Sequence, residues 1–359
     1  MIMNATTDLS ASGTGDSDEP VPLVFFYSGQ SLPGYCYNAM RHAVSVWGEQ
    51  VVLICDVPAP RVPPGVLVID YTSWFQPQAL EVTIAQNKID SDFRSGFWSA
   101  SLKRFFVLHQ YMEVTNTEKV AHAELDSVIF ASREDLFSRD LPNPGLLIPW
   151  NPPQLAIGSF VLVNGRESIQ RLIRFATTSQ GFSNEMELLT SFLNDPTEPG
   201  FGLPTVDALM YPEGTPVAVK NLLTEDHVGW RFDAARLGQW VLGVDPRNLS
   251  GRFCTNHFTE PGMTLVKVAN GQGQDNPVVW VRDRATSSRL ANIHVHSKRI
   301  GRATSPTQRA IWFAVANLPF TSFVGINTSR IRKRCSKAIG RTRNQVFKVA
   351  QGLLRKVHK

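Results

Sequence analysis

The chain has 359 residues, of which 43% are hydrophobic and 19% charged, and this composition excludes a wholly disordered, collagenous or coiled-coil protein. Its four cysteines lie far apart without a Cys-x-x-Cys pair, which argues against a zinc ribbon or a disulfide scaffold and favours a reducing cytosol. The most apolar stretch, residues 310–326, is interrupted by polar residues and by proline, so we expect no membrane span.

The charges of the chain are divided between an acidic body and a basic tail. Residues 301–359 hold 13 of the 36 Lys and Arg and no Asp or Glu, which leaves 23 basic against 31 acidic residues in 1–300. Eleven of the basic residues lie in 330–359 among apolar residues at roughly helical spacing, which predicts a basic amphipathic helix. Residues 1–20 are rich in Ser, Thr, Gly and Asp, so we expect a disordered arm and no signal peptide.

The predicted elements begin with a βαβ unit: a strand at Leu23–Tyr27, a helix over 35–46 and a strand at Val51–Cys55. A short strand at Val66–Ile69 and helical material over 77–114 follow. Strand-like and helix-like segments go on alternating to about residue 292, which predicts an α/β fold with a largely parallel sheet.

Two residues that end or follow predicted strands are candidates for nucleotide binding. In open α/β sheets, ligands bind beyond the carboxyl ends of the strands. Tyr27 ends the first strand and is a candidate to stack on a nucleobase, although it is equally suited to the core. Asp56 follows the second strand and is a candidate to bind a base or a ribose.

An acidic pair follows the apolar run at 120–123. Alternate residues of a strand point to the same side, which predicts that the carboxylates of Glu124 and Asp126 converge while Leu125 turns into the core. Two buried carboxylates repel unless a cation neutralises them, and oxygen ligands suit Mg2+ or Mn2+. The same spacing is also typical of a strand end that caps the next helix, so the pair alone leaves both interpretations open.

The segment 292–298 supplies further candidate ligands. His294 and His296 alternate with apolar residues, which predicts that the two imidazoles share one face of a strand. We expect His296 to be a third metal ligand and Lys298 to contact a phosphate. A hydrogen-bonded, partly buried histidine and a solvated lysine are the alternatives.

Several stretches of the sequence resemble the GT-A-fold glycosyltransferases. They are Phe93-Arg-Ser-Gly-Phe-Trp98, His122-Ala-Glu-Leu-Asp126, Phe232-Asp-Ala-Ala-Arg-Leu-Gly-Gln-Trp240, Gly243-Val-Asp-Pro-Arg-Asn248 and Ile293-His-Val-His-Ser-Lys298. In order and spacing they also resemble a group of bacterial-type glycosyltransferases with an E-x-D motif, similar to D-x-D, and a late H-S-K motif. The resemblance covers residues 21–300.

The resemblance implies a GT-A-like, Rossmann-like fold, in which helices flank a mixed, mostly parallel sheet. It implies that Glu124 lies near the ribose or the metal ion of a bound nucleotide sugar. Asp126 and His296 are then direct ligands of Mn2+ or Mg2+, and Lys298 contacts the diphosphate.

A basic residue about 20 positions before the acidic motif is implied as a contact to the donor sugar or phosphate. Arg104 matches this position, 20 residues before Glu124. Lys103 is its rival, because one helical turn cannot aim two neighbouring side chains in the same direction.

The second half of the chain adds candidates whose alternative roles are structural. Asp233 is a candidate general base or acceptor ligand, or else the cap of a helix that begins beside it. Gln239 is a candidate to hydrogen-bond sugar hydroxyls. Asp245 precedes a proline and is a natural turn residue, and Asn184 and Glu185 open an apparent helix, where capping explains them.

These inferences predict a metal-dependent glycosyltransferase of the hexosyltransferase class that takes a UDP- or GDP-sugar, with UDP favoured. The predicted domains are the arm 1–20, a catalytic domain 21–300 and the tail 301–359. Within the catalytic domain, a nucleotide-binding half spans about 21–130 and an acceptor half about 131–300. The tail predicts attraction of 330–359 to an anionic membrane surface, and hence a cytoplasmic enzyme, peripheral at the inner membrane, acting on a saccharide or lipid-linked acceptor.

The competing class is a non-enzymatic scaffold that binds nucleic acid or a membrane through the same tail. Aromatic residues are sparse among the tail charges, so no base-stacking platform is visible and we do not expect nucleic acid as a partner. A sugar nucleotidyltransferase would carry a basic phosphate loop after the first strand, and residues 28–34 include no Lys or Arg.

Overall fold

A computed structural model of the chain describes residues 20–90, 93–94, 96–152, 155–210, 219–242, 264–268, 278–282, 287–298 and 300–301. The predicted arm before residue 20, the turn residue Asp245 and the tail after residue 301 lie outside the described residues. Among the helices of these ranges, none combines the length and the hydropathy that a membrane span requires.

The strands and helices are named in chain order. The strands are β1 (Leu23–Tyr27), β2 (Val51–Cys55), β3 (Val66–Asp70), β4 (Lys119–Ala123), β5 (Ser127–Ile129), β6 (Gly145–Asn151), β7 (Leu155–Ala156), β8 (Phe160–Asn164), β9 (Gly200–Leu203), β10 (Thr264–Val268), β11 (Val278–Arg282), β12 (Ser287–Arg289) and β13 (Asn292–His294). The helices are α1 (Gly34–Trp47), α2 (Gln78–Gln86), α3 (Phe97–Val114), α4 (Arg133–Phe137), α5 (Arg166–Thr178), α6 (Glu185–Asn194), α7 (Glu225–Val228) and α8 (Arg236–Leu242), with a 3-10 helix at Asp207–Met210.

The central sheet has the strand order β3-β2-β1-β4-β8-β6-β7, and β9 pairs with β6. Strands β3, β2, β1 and β4 are parallel, β8 runs antiparallel to both β4 and β6, and β9 is parallel to β6. The prediction of an α/β fold with a mostly parallel sheet is therefore confirmed. From β1 the chain adds β2 and β3 on one side, and then crosses to add β4 on the other side. The topological switch point therefore lies between β1 and β4, where open α/β sheets bind ligands.

Helices cover both faces of this sheet, because its strands are apolar on both sides. Alternate residues of β1 enter opposite cores: Val24 packs with α2, α3, α5 and α6, whereas Leu23 and Phe25 pack with α1. The burial of both faces explains why the strands consist of continuous apolar runs rather than alternating patterns.

The observed elements differ from the predicted ones mainly in their boundaries. Helix α1 extends the predicted helix at 35–46 by one residue at each end. The helical material predicted over 77–114 is divided into α2 and α3, and the second helix begins after Gly96, whose φ of +87° lies in the left-handed region that glycine adopts readily. The predicted division into a nucleotide-binding half and an acceptor half stays a prediction.

Candidate functional site

The carboxyl ends of the central parallel strands carry the predicted site residues. Glu124 and Asp126 follow β4, Asp56 follows β2, and Ser28 and Gly29 follow the neighbouring strand β1. Leu125 is buried in the core between the two acids, as the alternation predicts. The acidic pair therefore lies beside the switch point of the sheet.

A two-stranded ribbon brings a histidine to the acidic pair. Strand β5 begins directly after Asp126 and pairs antiparallel with β13, with Ser127 opposite His294. The next backbone N–H, that of Val295, donates to the carbonyl of Asp126 at 2.7 Å. This ladder holds Asp126 and His294, which are 168 positions apart in sequence, at the same end of the sheet.

The imidazole of His294 lies between the two carboxylates. Its Nε2 is 2.9 Å from Glu124 Oε2 and 3.3 Å from Asp126 Oδ2. Its Nδ1 is 2.9 Å from the carbonyl oxygen of Ala234, to which a protonated Nδ1 donates. Because that bond holds the proton on Nδ1, a neutral imidazole presents the lone pair of Nε2 to the acids.

The electrostatics of this group are those of mutual neutralisation. Burial alone would lower the pKa of His294, but Asp126 and Glu124 raise it well above its ordinary value. Burial alone would raise the pKa of Asp126, but Lys298 and His294 hold it well below its ordinary range. The pKa of Glu124 is likewise lowered, by Arg104 and His294 against the effect of burial.

The donor set of this group suits a divalent cation. Glu124, Asp126 and His294 each offer one ligand atom, and these atoms lie within 4.8 Å of one another. Two carboxylates and one imidazole Nε2 are ligands that Mn2+ accepts, and Mg2+ accepts the carboxylates most readily. The hydrogen bond from Nδ1 to Ala234 supplies the outer partner that histidine ligands of metals usually have.

The structure brings His294 to the acidic pair, whereas the sequence pattern predicts His296 as the metal ligand. Strand β13 ends at His294, so His296 lies beyond the ladder and its ring packs against the His294 ring at a centroid distance of 4.0 Å. The two rings thus share one side, as predicted. Burial and the adjacent His294 lower the pKa of His296 to about 3, and its Nε2 is buried without a hydrogen-bond partner among the described residues. A direct bond from His296 to a metal ion stays a prediction.

Lys298 reaches the same group from the turn after β13. Its φ of +58° is in the left-handed region, and its N–H donates to the carbonyl of Val295 at 2.9 Å. Its ammonium group pairs with Asp126 Oδ2 and lies 5.8 Å from the centre of the Tyr35 ring. The predicted contact of Lys298 with a diphosphate stays a prediction.

Arg104 forms a second buried charge cluster with two glutamates. Only 6% of its side chain is exposed, and its guanidinium pairs with Glu124 Oε1 through Nη1 and with Glu185 Oε1 through Nη2. Lys103 takes different partners: it donates to the Tyr71 hydroxyl at 2.7 Å, and its ammonium lies over the Tyr71 ring. The two neighbouring basic side chains therefore diverge, as predicted, and the contact of Arg104 with a donor sugar stays a prediction.

Asp56 is oriented by donors from the two residues after β1 and from the residue after β3. Its carboxylate accepts bonds from the Ser28 hydroxyl at 2.7 Å, the Gly29 amide at 2.8 Å and the Tyr71 hydroxyl at 2.7 Å. Although burial acts in the opposite direction, these bonds lower the pKa of Asp56 and keep it ionised. Tyr27 is half-buried, and its hydroxyl donates to the carbonyl of Ser31 at 2.8 Å. Its stacking on a base stays a prediction.

Two fully buried carboxylates hold the start of α8. Asp207 accepts the backbone N–H groups of 234–236 at 2.9 to 3.2 Å. Asp233 accepts those of 237–238 at 3.1 and 2.7 Å and that of His294 at 3.0 Å. These bonds confirm the capping interpretation of Asp233, and burial together with the charge of Asp207 raises its pKa to about 8. Its role as a general base stays a prediction that this burial disfavours.

Three further candidates from the sequence, in α8 and at the start of α6, differ in how far their contacts match the predictions. Gln239 lies in α8 with a buried side-chain oxygen that has no hydrogen-bond partner among the described residues, and its contact with a sugar stays a prediction. Asn184 caps α6 by accepting the Glu187 amide at 3.0 Å, as predicted. Glu185, for which capping was also expected, instead pairs with Arg104. No local pattern reveals that pair, because 81 residues separate its members.

Solved structures that are similar to this chain include three glycosyltransferases of low sequence identity. No protein-family model matches the sequence, and no curated protein matches it. Mouse xyloside xylosyltransferase 1, in its apo form, shares 11% identity over 51% of this chain and 85% of its own, with a TM-score of 0.35. The bifunctional glycosyltransferase WbbM, also apo, shares 12% identity over 50% of this chain and 38% of its own, with a TM-score of 0.32. The glycosyltransferase GlyE of Streptococcus pneumoniae TIGR4 shares 11% identity over 50% of this chain and 45% of its own, with a TM-score of 0.30.

The chain thus spans less than half the length of the last two proteins. Superpositions with such low scores say nothing about activity. The functional interpretation rests on the side chains at the end of the sheet.

Proposed function

We propose that the chain is a metal-dependent glycosyltransferase that moves a sugar from a nucleotide-sugar donor to a hydroxyl acceptor. The observation that carries this proposal is the convergence of Glu124, Asp126 and His294 beside the switch point of the sheet. Such a set of ligands suits Mn2+ or Mg2+, and these ions commonly complete their shell with phosphate oxygens. The proposal agrees with the activity that the sequence motifs imply by resemblance.

Each group of the site has a role in the proposed complex. Glu124, Asp126 and His294 would hold the cation, which when bound would neutralise charge on the diphosphate and stabilise it as a leaving group. The ammonium group of Lys298, which pairs with Asp126, would donate hydrogen bonds to a phosphate oxygen of the donor. Asp233 keeps the backbone of His294 in place, so we assign it to positioning rather than to proton transfer.

The proposed reaction exchanges one bond at the anomeric carbon for another. The bond from that carbon to the diphosphate oxygen breaks and takes its electron pair to the diphosphate. The acceptor oxygen forms the new bond and loses its proton to a base or to the leaving group. The products are a glycoside and a nucleoside diphosphate.

Asp56 supports a donor whose base presents a ring N–H group. An ionised carboxylate only accepts hydrogen bonds, and the bonds from Ser28, Gly29 and Tyr71 fix its orientation. Uracil and guanine carry such a ring N–H, whereas N3 of cytosine is an acceptor. We therefore propose a UDP- or GDP-sugar as donor and favour UDP.

The test is a thermal-shift panel of UDP-, GDP- and CDP-sugars, with and without Mn2+, on the native chain and on Asp126→Ala. A donor that binds the folded protein raises its melting temperature by mass action. We expect a shift for one donor class that requires Mn2+ and disappears in Asp126→Ala. Product analysis should then find the nucleoside diphosphate.

Two results would overturn the proposal. The first is the lack of any metal-dependent shift across the panel. The second is release of a sugar 1-phosphate in place of a nucleoside diphosphate, which would indicate nucleotidyl transfer instead.

The location of the enzyme is part of the proposal. The eleven basic residues of 330–359 would attract the chain to anionic lipid, at about 1 kcal/mol for each charge near the surface. A peripheral enzyme at the cytoplasmic surface of the inner membrane would then meet saccharide or lipid-linked acceptors.

A further inference from the structure

The buried pair of Arg104 and Glu185 has no role in the reaction proposed above. Both side chains are almost fully buried, with 6% and 5% of their surface exposed. Arg104 belongs to α3 and Glu185 to the first turn of α6, so the pair joins two helices that flank the sheet. Isolated buried charges are costly, so keeping these two groups paired constrains the positions of both helices.

The protein backbone is fitted closely around this pair. A Cβ atom on Gly158 would lie 2.7 Å from Arg104 Nη2 and 3.0 Å from Glu185 Oε1. The Arg104 guanidinium also lies 5.0 Å from the centre of the Phe105 ring. The guanidinium is therefore confined on several sides and has little freedom to change its aim.

That confinement determines the orientation of Glu124. Arg104 takes Oε1 of Glu124, and the other oxygen, Oε2, is the one that faces His294 at 2.9 Å. Because one oxygen is anchored, the second is directed toward Asp126 and His294, where a cation would bind. Glu185 in turn holds the guanidinium from its other side.

The charges around Glu124 also indicate a role for Glu185. Glu124, Asp126 and Glu185 supply three negative charges, and Arg104 and Lys298 supply two positive ones. A bound cation takes the place of any proton on Nε2 of His294, so the imidazole is neutral in the cation-bound group. The five charged side chains then carry one net negative charge, and without Glu185 they would carry none. A divalent cation enters a neutral group of ligands less readily than a negative one.

We infer that Glu185 is a positioning residue for the metal group: it balances Arg104, so that Arg104 can orient Glu124 without cancelling its charge. This inference rests on the proposed function, because it concerns the cation that the site would bind. It assigns Glu185 no contact with substrate and no part in proton transfer.

The test measures Mn2+ affinity directly, by calorimetry or by the electron paramagnetic resonance signal of free Mn2+, with no nucleotide present. Glu185→Gln should weaken Mn2+ binding by about tenfold or more, the range known for outer-shell partners of metal ligands. Glu185→Asp keeps the charge and should recover most of the lost affinity. Glu167→Gln is the matched control: this exposed glutamate of α5 faces Arg171, and its loss should leave the affinity unchanged.

A double variant guards against misfolding, because removing one member of a buried ion pair commonly destabilises a protein strongly. Arg104→Met combined with Glu185→Met removes both charges and keeps the net charge of the cluster. We expect a folded protein that binds Mn2+ more tightly than Glu185→Gln, since the unbalanced guanidinium is gone. Its affinity should still be below that of the native chain, because Glu124 has lost its anchor.

The outcomes separate this inference from the proposed function. If the native chain binds no Mn2+, the metal-dependent function and the inference both fail. If the native chain binds Mn2+ and folded Glu185→Gln binds it equally well, only the inference fails. A double variant with native affinity would also overturn it, and so would affinities that merely follow the melting temperatures across the series.

Discussion

His294 and His296 are two residues apart, yet their ring nitrogens have different surroundings. Nε2 of His294 faces two carboxylates and its Nδ1 is fixed by the Ala234 carbonyl, whereas Nε2 of His296 has no hydrogen-bond partner among the described residues. We therefore predict that His294→Ala weakens Mn2+ binding by at least about tenfold, as expected for loss of a ligand or its orientation. His296→Ala should have the smaller effect. Titration of each folded variant with Mn2+ measures both.

A surface histidine provides the control for this pair. His227 lies in the short helix α7, where its imidazole bonds to the Thr224 hydroxyl at 2.6 Å, and His227→Ala should leave Mn2+ affinity unchanged. If His296→Ala proves more damaging than His294→Ala, the ligand assignment read from the structure is wrong and the assignment read from the sequence holds.

The sequence predicts the two acids of the site but not the histidine between them. Alternation places Glu124 and Asp126 on one side, and this is a local property of the chain. The choice between His294 and His296 depends on where β13 ends, which is set by its pairing with β5 and by the turn that Lys298 closes. That pairing joins segments more than 160 residues apart, so no local pattern contains it.

Among the helices and strands too, local features could be predicted from the sequence and long-range contacts could not. The unit of β1, α1 and β2 follows from apolar runs and turn residues, and it was predicted to within about a residue. The attachment of α8 to β13 could not be predicted, because it depends on buried polar contacts. Asn292 brackets the backbone of Asp233, with bonds of 3.2 Å to both its N–H and its carbonyl.

The close approach of α8 to β13 requires a glycine. A Cβ atom on Gly238 would lie 1.8 Å from the carbonyl oxygen of His294, so no side chain fits without moving the helix or the strand. We predict that Gly238→Ala destabilises the fold by about 1–3 kcal/mol, the usual range for overpacking. It should also weaken Mn2+ binding, because His294 is at the point of contact.

Denaturant unfolding and Mn2+ titration measure the two effects. Gly34→Ala is the control: this glycine opens α1 with nothing within 4 Å of an added Cβ, and alanine there should be neutral or stabilising. Unchanged stability in Gly238→Ala would mean that α8 is not packed against β13 as described.

In the molecule as a whole, the sheet topology assembles the candidate site, whereas the net positive charge lies in the tail. The sheet brings the ends of β1, β2 and β4 together on one edge, and this accounts for a site assembled from acids that are 68 to 70 residues apart, Asp56 against Glu124 and Asp126. The net positive charge of the chain, by contrast, comes from residues 301–359, since residues 1–300 have eight more acidic than basic residues (31 against 23). Long-range attraction to an anionic surface would therefore act through the tail alone.

This division predicts that catalysis and membrane attachment can be separated. A chain without residues 301–359 should lose flotation with anionic liposomes, and the full chain should lose it progressively as salt screens the tail. The truncated chain should retain Mn2+ binding, because Glu124, Asp126 and His294 all precede the deletion. Liposomes of neutral lipid are the control for hydrophobic adsorption. Unchanged flotation of the truncated chain would show that residues 1–300 carry the attachment. If the full chain shifts labelled DNA, the truncated chain does not, and neither turns over a donor, the tail binds nucleic acid instead.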